Sequence, residues 1–247
     1  MIQRQLEHRT IRKYKEIPVE ADKLQTYLHV MNRTAARGTQ AYSIIHVTDP
    51  TKKVQIAKAT RQPFVKDLPE LFVFIIDVKR LSSITQKIYP DKEQHCTFDY
   101  FFVGATDIFL AAQNMMNAIE SDGLGGVYLS TVADDVPAMK EILELPELTF
   151  PILGLGFGYP DEHPSQTLWL PLNVKVSENV YQNVEDCYGD IRAYDEERRL
   201  LYNRMGHSTA KDYSQMIADR MVGRPSDYAK LLQKIVKEGF DLGLDIE

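Results

Sequence analysis

Cysteine is scarce in this chain: two in 247 residues, Cys96 and Cys187, with no Cys-x-x-Cys. With the six histidines dispersed and no His-x-His or His-Glu-x-x-His spacing, neither a zinc site nor a disulfide framework is expected. Basic charge is not in excess either. Lys+Arg total 29 against Asp+Glu 35, a formal net charge of −6. A general nucleic-acid binder needs a basic face to displace counterions, so none is expected here. No apolar run reaches membrane-spanning length, and the start, Met1-Ile2-Gln3-Arg4, shows no signal peptide. The expectation is a soluble, cytoplasmic chain with no membrane partner.

What is present is the patterning of a globular domain. Leu24, Leu28 and Met31 recur at helical spacing and predict a helix over 19–31. Residues 43–47 read as a strand, and Asp49-Pro50 opens a helix to residue 60. Residues 71–77 are apolar on both faces, as in a central strand of a covered sheet. The polar stretch 82–99 reads as an irregular surface insertion. A helix over 101–120 has only a narrow polar stripe, Thr106, Asp107, Gln113, Asn114 and Asn117, and should be buried on most sides. A strand at 126–130, a helix at 135–145 and a strand at 151–159 follow. Beyond Pro160 comes a loop holding the single tryptophan, Trp169. From residue 181 the pattern is helical, with further helices at 212–222 and 226–240. The fold class expected is α+β: a mixed sheet of four or more strands within 1–180, then a helical arm over 181–247. The arm must bury its apolar stripe, and a partner subunit is one candidate.

Several motifs bear on chemistry. Gly154, Gly156 and Gly158 resemble a nucleotide fingerprint, but a polar loop follows them where a helix should open. No P-loop and no Gly-x-Ser-x-Gly occur, and Ser208 with Lys211 matches Ser-x-x-Lys only at chance level. Gly123, Gly125 and Gly126 turn a helix into a strand. They are either a helix cap or a place where bare backbone meets a ligand. Arg9 and Arg12 are three apart, so on a helical turn they would share a face. With the Thr10 hydroxyl they could hold a phosphate, although a solvated basic patch is the plainer reading.

The stretch His8-Arg9-Thr10-Ile11-Arg12 resembles the His-Arg-Ser-Ile-Arg opening of the nitroreductase family, in its oxygen-insensitive NADPH nitroreductase and NADPH-flavin oxidoreductase group. The similarity continues through Ser43-Ile44-Ile45, Gln62, 111–114, Glu120-Ser121, 123–128, Gly154-Leu155 and 158–160, in the same order. The resemblance implies an FMN-binding homodimer with exchanged C-terminal segments. FMN would take hydride from NADPH or NADH and reduce a nitroaromatic, a quinone or a flavin by a ping-pong cycle. By matching position, His8, Arg9, Thr10 and Arg12 would contact the FMN phosphate and ribityl chain, and Gln62 the ribityl or ring edge. Tyr128, Leu129 and Ser130 would lie along the isoalloxazine, largely through backbone. The cofactor carries the redox chemistry, so no catalytic side chain and no metal are expected.

Two departures from the family stand out. Where relatives have a Lys-x-Arg pair before Leu-Pro, this chain has Thr167-Leu168-Trp169 before Leu170-Pro171. The loss of both cations implies weaker FMN retention or a lower potential. It motivates the alternative of a flavin carrier or regulator without reductase turnover. Trp169 could stack near the flavin or be buried in the core. The arginine-rich loop that reads NADPH in relatives is thinned to Arg204, His207 and Lys211, and Arg224-Pro225 matches a family Arg-Pro. Arg204 and Arg224 are the candidates on the nicotinamide and acceptor side, with a small molecule as the acceptor.

Overall fold

The computed structural model describes residues 2–206, 211–222 and 230–242. The chain divides into two compact units: Met1–Ser165 with Lys230–Glu247, and Gln166–Ala229. The division thus falls at 165/166 rather than at 180/181, and the last residues group with the first unit.

Unit one is built on a sheet of four strands, β1 (Tyr42–His46), β2 (Glu70–Asp77), β3 (Gly125–Leu129) and β4 (Thr149–Gly158). The order is β1-β2-β4-β3, and each neighbouring pair is antiparallel. Among the described residues parallel pairing enters as isolated bridges, one at the sheet edge between Thr10 and Gly126 and one between Thr97 and Asp241. β2 is central, and its side chains alternate between two cores. Phe72, Phe74 and Ile76 enter one, with α2 (Ala21–Asn32) and α5 (Phe98–Ser121). Leu71, Val73 and Ile75 enter the other, with α3 (Pro50–Ala59) and α6 (Val136–Leu143). A strand buried on both sides has no polar face, which is why 71–77 is a continuous apolar run.

The stretch expected to be irregular after residue 82 is partly helical. α4 spans Val78–Ile88. Asp77 starts it by accepting from Arg80 N at 2.9 Å, and Leu81 packs against the core. The sequence signal is masked because Asp77 also closes β2.

α5 departs from expectation in which of its faces is exposed. Asp107 is buried and accepts from Arg37 N at 3.1 Å. Asn114 Nδ2 reaches Val30 O at 3.0 Å and Thr34 Oγ1 at 2.9 Å. These polar residues hold the segment after α2 and do not form the solvent stripe. The exposed side is instead largely apolar, with Phe102, Phe109 and Leu110 beside Gln113.

The chain's end returns to unit one through α10 (Leu231–Lys237). Lys234 Nζ donates to Ala133 O and Asp134 O at 3.1 and 2.8 Å, and Lys140 pairs with Glu238. Phe240 is buried edge-on against Phe101, with ring centroids 5.4 Å apart.

Unit two contains α7 (Leu172–Lys175), α8 (Val184–Arg204) and α9 (Tyr213–Val222). Tyr194 of α8 meets Tyr213 edge-on at 5.7 Å and donates to Leu168 O at 3.2 Å. Trp169 is 73% exposed, so it is not buried in the core, and the Lys175 ammonium lies 5.9 Å from its ring centroid. Among the described residues no helix is long and apolar enough to cross a membrane.

Candidate functional site

The segment 8–15 is extended along the ends of β3 and β4. Ile11 N donates to Gly126 O at 3.0 Å, Lys15 N to Tyr159 O at 2.8 Å, and Asp161 N to Lys13 O at 2.9 Å. Tyr14 makes an antiparallel bridge to Pro160, and its hydroxyl donates to Ile11 O at 2.5 Å. The helical face expected for Arg9 and Arg12 therefore does not exist, because the backbone here is engaged in strand-type bonds. Two residues three apart on extended chain point to different sides.

Each candidate in this segment has its own setting. His8 Nδ1 lies 2.5 Å from Glu120 Oε1, and Glu120 is buried at the end of α5. This hydrogen bond holds the His8 pKa above its ordinary value, against the opposing effect of burial. Arg9 Nη1 donates to Glu7 O at 3.1 Å, while its Nε is buried with no hydrogen-bond partner. Thr10 is half-buried at the bridge to Gly126. Arg12 is exposed, with its guanidinium 5.9 Å from the Phe64 ring centroid. Its backbone N and that of Lys13 both donate to Glu162 Oε1, at 2.6 and 3.1 Å. Arg4, His8, Arg9, Gly125 and His163 line an open recess of about 150 Å³ together with the carboxylates of Glu7, Glu120 and Glu162, while Thr10 and Arg12 are not part of its lining.

The glycines explain how this segment can lie so close to β3. Gly123 has φ +81° and its N donates to Glu120 O at 3.0 Å, so it caps α5. A Cβ on Gly125 would sit 2.5 Å from Ile11 Cγ1, and one on Gly126 2.7 Å from Met116 Cε. The cap reading holds for Gly123, while Gly125 and Gly126 are small because Ile11, Pro160 and Met116 pack against them, a reason neither sequence reading gave.

At the other end of β3, Leu129 is buried and Ser130 is exposed. Tyr128 turns back to α5, its hydroxyl donating to Ala112 O at 3.0 Å. Burial, then the Glu120 charge, raise its phenol pKa. Gln62 Nε2 donates to Thr131 Oγ1 at 2.9 Å, in the turn that follows the strand. His8, Arg9 and Thr10 thus lie towards the Gly125–Gly126 end of the strand and Gln62 beside the turn after its other end, roughly 13 Å of strand rise apart, whereas the Arg12 guanidinium lies over Phe64, two residues from Gln62. An elongated ligand with an anion at one end suits that spacing. What residues 128–130 can offer it is backbone and one hydroxyl.

Glu120, Thr131 and Glu162 are parts of this constellation that sequence reasoning did not assign. Glu162 touches residues 150 positions earlier, an interaction that no one-dimensional pattern announces. Arg204 ends α8 in unit two and is exposed. Arg224 and His207 lie outside the described residues. No group of three or more His, Cys, Asp or Glu side chains among the described residues could hold a metal.

Comparison with known proteins agrees with this architecture. A model described as "Nitroreductase family" matches residues 6–159, and one described as "Nitroreductase family, C-terminal domain" matches residues 169–243. An NADPH-flavin oxidoreductase from Vibrio harveyi is 33% identical over 221 residues, covering 88% of this chain and 89% of that protein. An NADPH-dependent oxidoreductase from Staphylococcus saprophyticus is 31% identical over 239 residues, covering 94% of each. Among solved structures, nitroreductase A from Vibrio parahaemolyticus superposes with a TM-score of 0.86 at 33% identity, covering 97% of both chains. The Vibrio harveyi NADPH:FMN oxidoreductase complexed with NAD+ gives 0.84 at 30% identity and the same coverage.

Proposed function

The chain belongs to the nitroreductase family, and on that premise we propose that it is an FMN-dependent NAD(P)H oxidoreductase. The observation that carries the reading is Arg9. Its buried Nε has no acceptor, beside His8 and Arg4 in an open recess. A buried donor left unpaired costs about 1–3 kcal/mol, more when charged, and a phosphate oxygen removes that cost. The donor set therefore fits the phosphate end of FMN. His8, Arg9, Thr10 and Arg12 would hold the phosphate and ribityl chain. Gln62 would meet the ribityl or ring edge, and the backbone of residues 128–130 would lie along the flat ring.

The chemistry supplied by the bound group is two-electron transfer in alternation: hydride in from NADPH or NADH, electrons out to a nitroaromatic, a quinone or a flavin. The protein's own part is to bind, orient and shield, and no catalytic side chain is assigned. Arg204 and Arg224 are proposed for the nicotinamide and acceptor side. With Thr167 and Trp169 in place of two cations, FMN retention or reduction potential should be lower than in relatives with Lys-x-Arg. The proposed assembly is a cytoplasmic homodimer.

Purified protein should carry FMN or bind it from solution, and its yellow colour should bleach anaerobically with NADPH or NADH and return on adding a quinone. Protein that binds no FMN overturns the reading. Loaded protein that neither nucleotide bleaches replaces it with the carrier or regulator alternative.

A further inference from the structure

Within the flavin-binding reading above, on which this step rests, Glu120 has a role that the phosphate contacts alone do not give it. We propose that Glu120 is a positioning residue for the cofactor's anionic end: from inside the core it grips the Nδ1 edge of His8, so that the Nε2 edge offers a charged N–H to the recess. The geometry is specific. Glu120 is 8% exposed, sits in the last turn of α5 and approaches Nδ1 at 2.5 Å. A carboxylate can only accept from imidazole, so the proton on Nδ1 is fixed. In a neutral ring Nε2 would then be an acceptor, which repels a phosphate oxygen. Only the imidazolium has a donor on both edges. The same carboxylate that fixes the ring also favours that charged form.

The charged neighbours of His8 come from every element around it. Arg4 belongs to the N-terminal helix α1 (Ile2–Leu6) and Glu7 to its turn, Arg9 to the same extended segment as His8, and Glu162 and His163 to the loop after β4. The ring itself is hydrogen-bonded to Glu120, at the end of α5, and to none of these. Because the folded pKa lies above the ordinary value of 6.5, the His8–Glu120 pair stabilises the fold fully below pH 6.5. That contribution is lost as pH rises through the raised folded value. Affinity for an anion at Nε2 follows the same curve.

Glu120→Gln tests this, since it keeps size and acceptor but removes the charge. FMN phosphate itself titrates near pH 6, so the quantity to follow is the ratio of FMN dissociation constants, variant over wild type, between pH 5.5 and 8.5. The expected ratio is near one at pH 5.5 and rises to about tenfold at pH 7.5, as befits the loss of a single charge-assisted hydrogen bond. In parallel, nitrogen NMR of the apoprotein should show the His8 titration moved down in the variant, a readout independent of turnover. His8→Gln, which keeps an amide donor without a titrating group, should remove the wild-type loss of FMN affinity above pH 6.5. A ratio that is flat across pH, or a His8 titration unmoved by Glu120→Gln, overturns the proposal while leaving flavin binding intact. Absence of FMN binding in the wild type at every pH overturns both.

Discussion

Arg9 and Arg12 look equivalent in one dimension, and their surroundings separate them. Arg9 Nε is buried and unpaired, whereas Arg12 is exposed over Phe64. A charge-assisted bond from a desolvated donor is worth about 1.5–3 kcal/mol, and an exposed pair about 0–1 kcal/mol. Arg9→Ala should therefore weaken FMN binding by roughly ten- to a hundredfold, and Arg12→Ala by roughly fivefold or less. Fluorescence titration of the apoprotein checks the order, and an equal or larger effect at Arg12 would reverse the assignment. The glycines part in the same way. Gly123→Ala meets no atom within 4 Å but must hold φ +81°, which costs about 1 kcal/mol of stability. Gly125→Ala drives a Cβ into Ile11 and Pro160 and should cost about 1–3 kcal/mol while lifting the 8–12 segment off β3. Flavin content should fall only in the second variant. Residue types are readable from the motif, but their environments are not. His8 meets Glu120 across 112 positions and Arg12 meets Glu162 across 150.

Elements with a single strong signal are legible in the chain itself. Asp49 accepts from Thr51 N at the start of α3, and Pro50 opens that helix. β2 declares itself by an apolar run that alternates between two cores. α4 is not legible, because Asp77 serves two neighbours: Oδ1 caps the helix through Arg80 N, and Oδ2 accepts from Ser43 Oγ at 2.5 Å. A residue that closes a strand and starts a helix without an intervening loop leaves no punctuation to read. Asp77→Ala should cost about 2–3 kcal/mol, from the loss of both the cap and the side-chain bond. Ser43→Ala removes only the second and should cost about 1 kcal/mol. Urea unfolding measures both, and equal losses would mean that the cap contributes nothing. The polar residues on α5 mislead for a related reason. Asp107 and Asn114 are polar because they bind the backbone around residues 30–37, so polarity there marks a buried anchor and not a solvent face.

At the scale of the whole molecule, both units expose large apolar side chains among the described residues. On unit one, Phe102, Phe109 and Leu110 line the open side of α5, with Phe109 and Leu110 each about half exposed. On unit two, Trp169, Leu172, Val180 and Tyr181 are exposed, Tyr181 at 87%. Phe102 and Phe109, seven apart on α5, share one helix face with Leu110 beside them, and an exposed apolar face of this kind marks an interaction surface. A twofold dimer would use one patch twice, which makes any defect count twice as well. Leu110→Lys places a charge on that face in both copies, where an unpaired buried charge costs about 3–5 kcal/mol. Because Leu110 is half exposed in the single chain, the substitution should leave the fold and its thermal transition nearly unchanged. Light scattering should give a dimer for the wild type and a monomer for the variant, or a dissociation constant raised by roughly a hundredfold or more. If Leu110→Lys remains a dimer at the same concentration, the α5 face is not the interface. Flavin content measured on the same monomer then decides whether each site is complete within one chain: unchanged FMN affinity means that residues 8–12 and Gln62 suffice, and a parallel loss means that the second copy supplies part of the site.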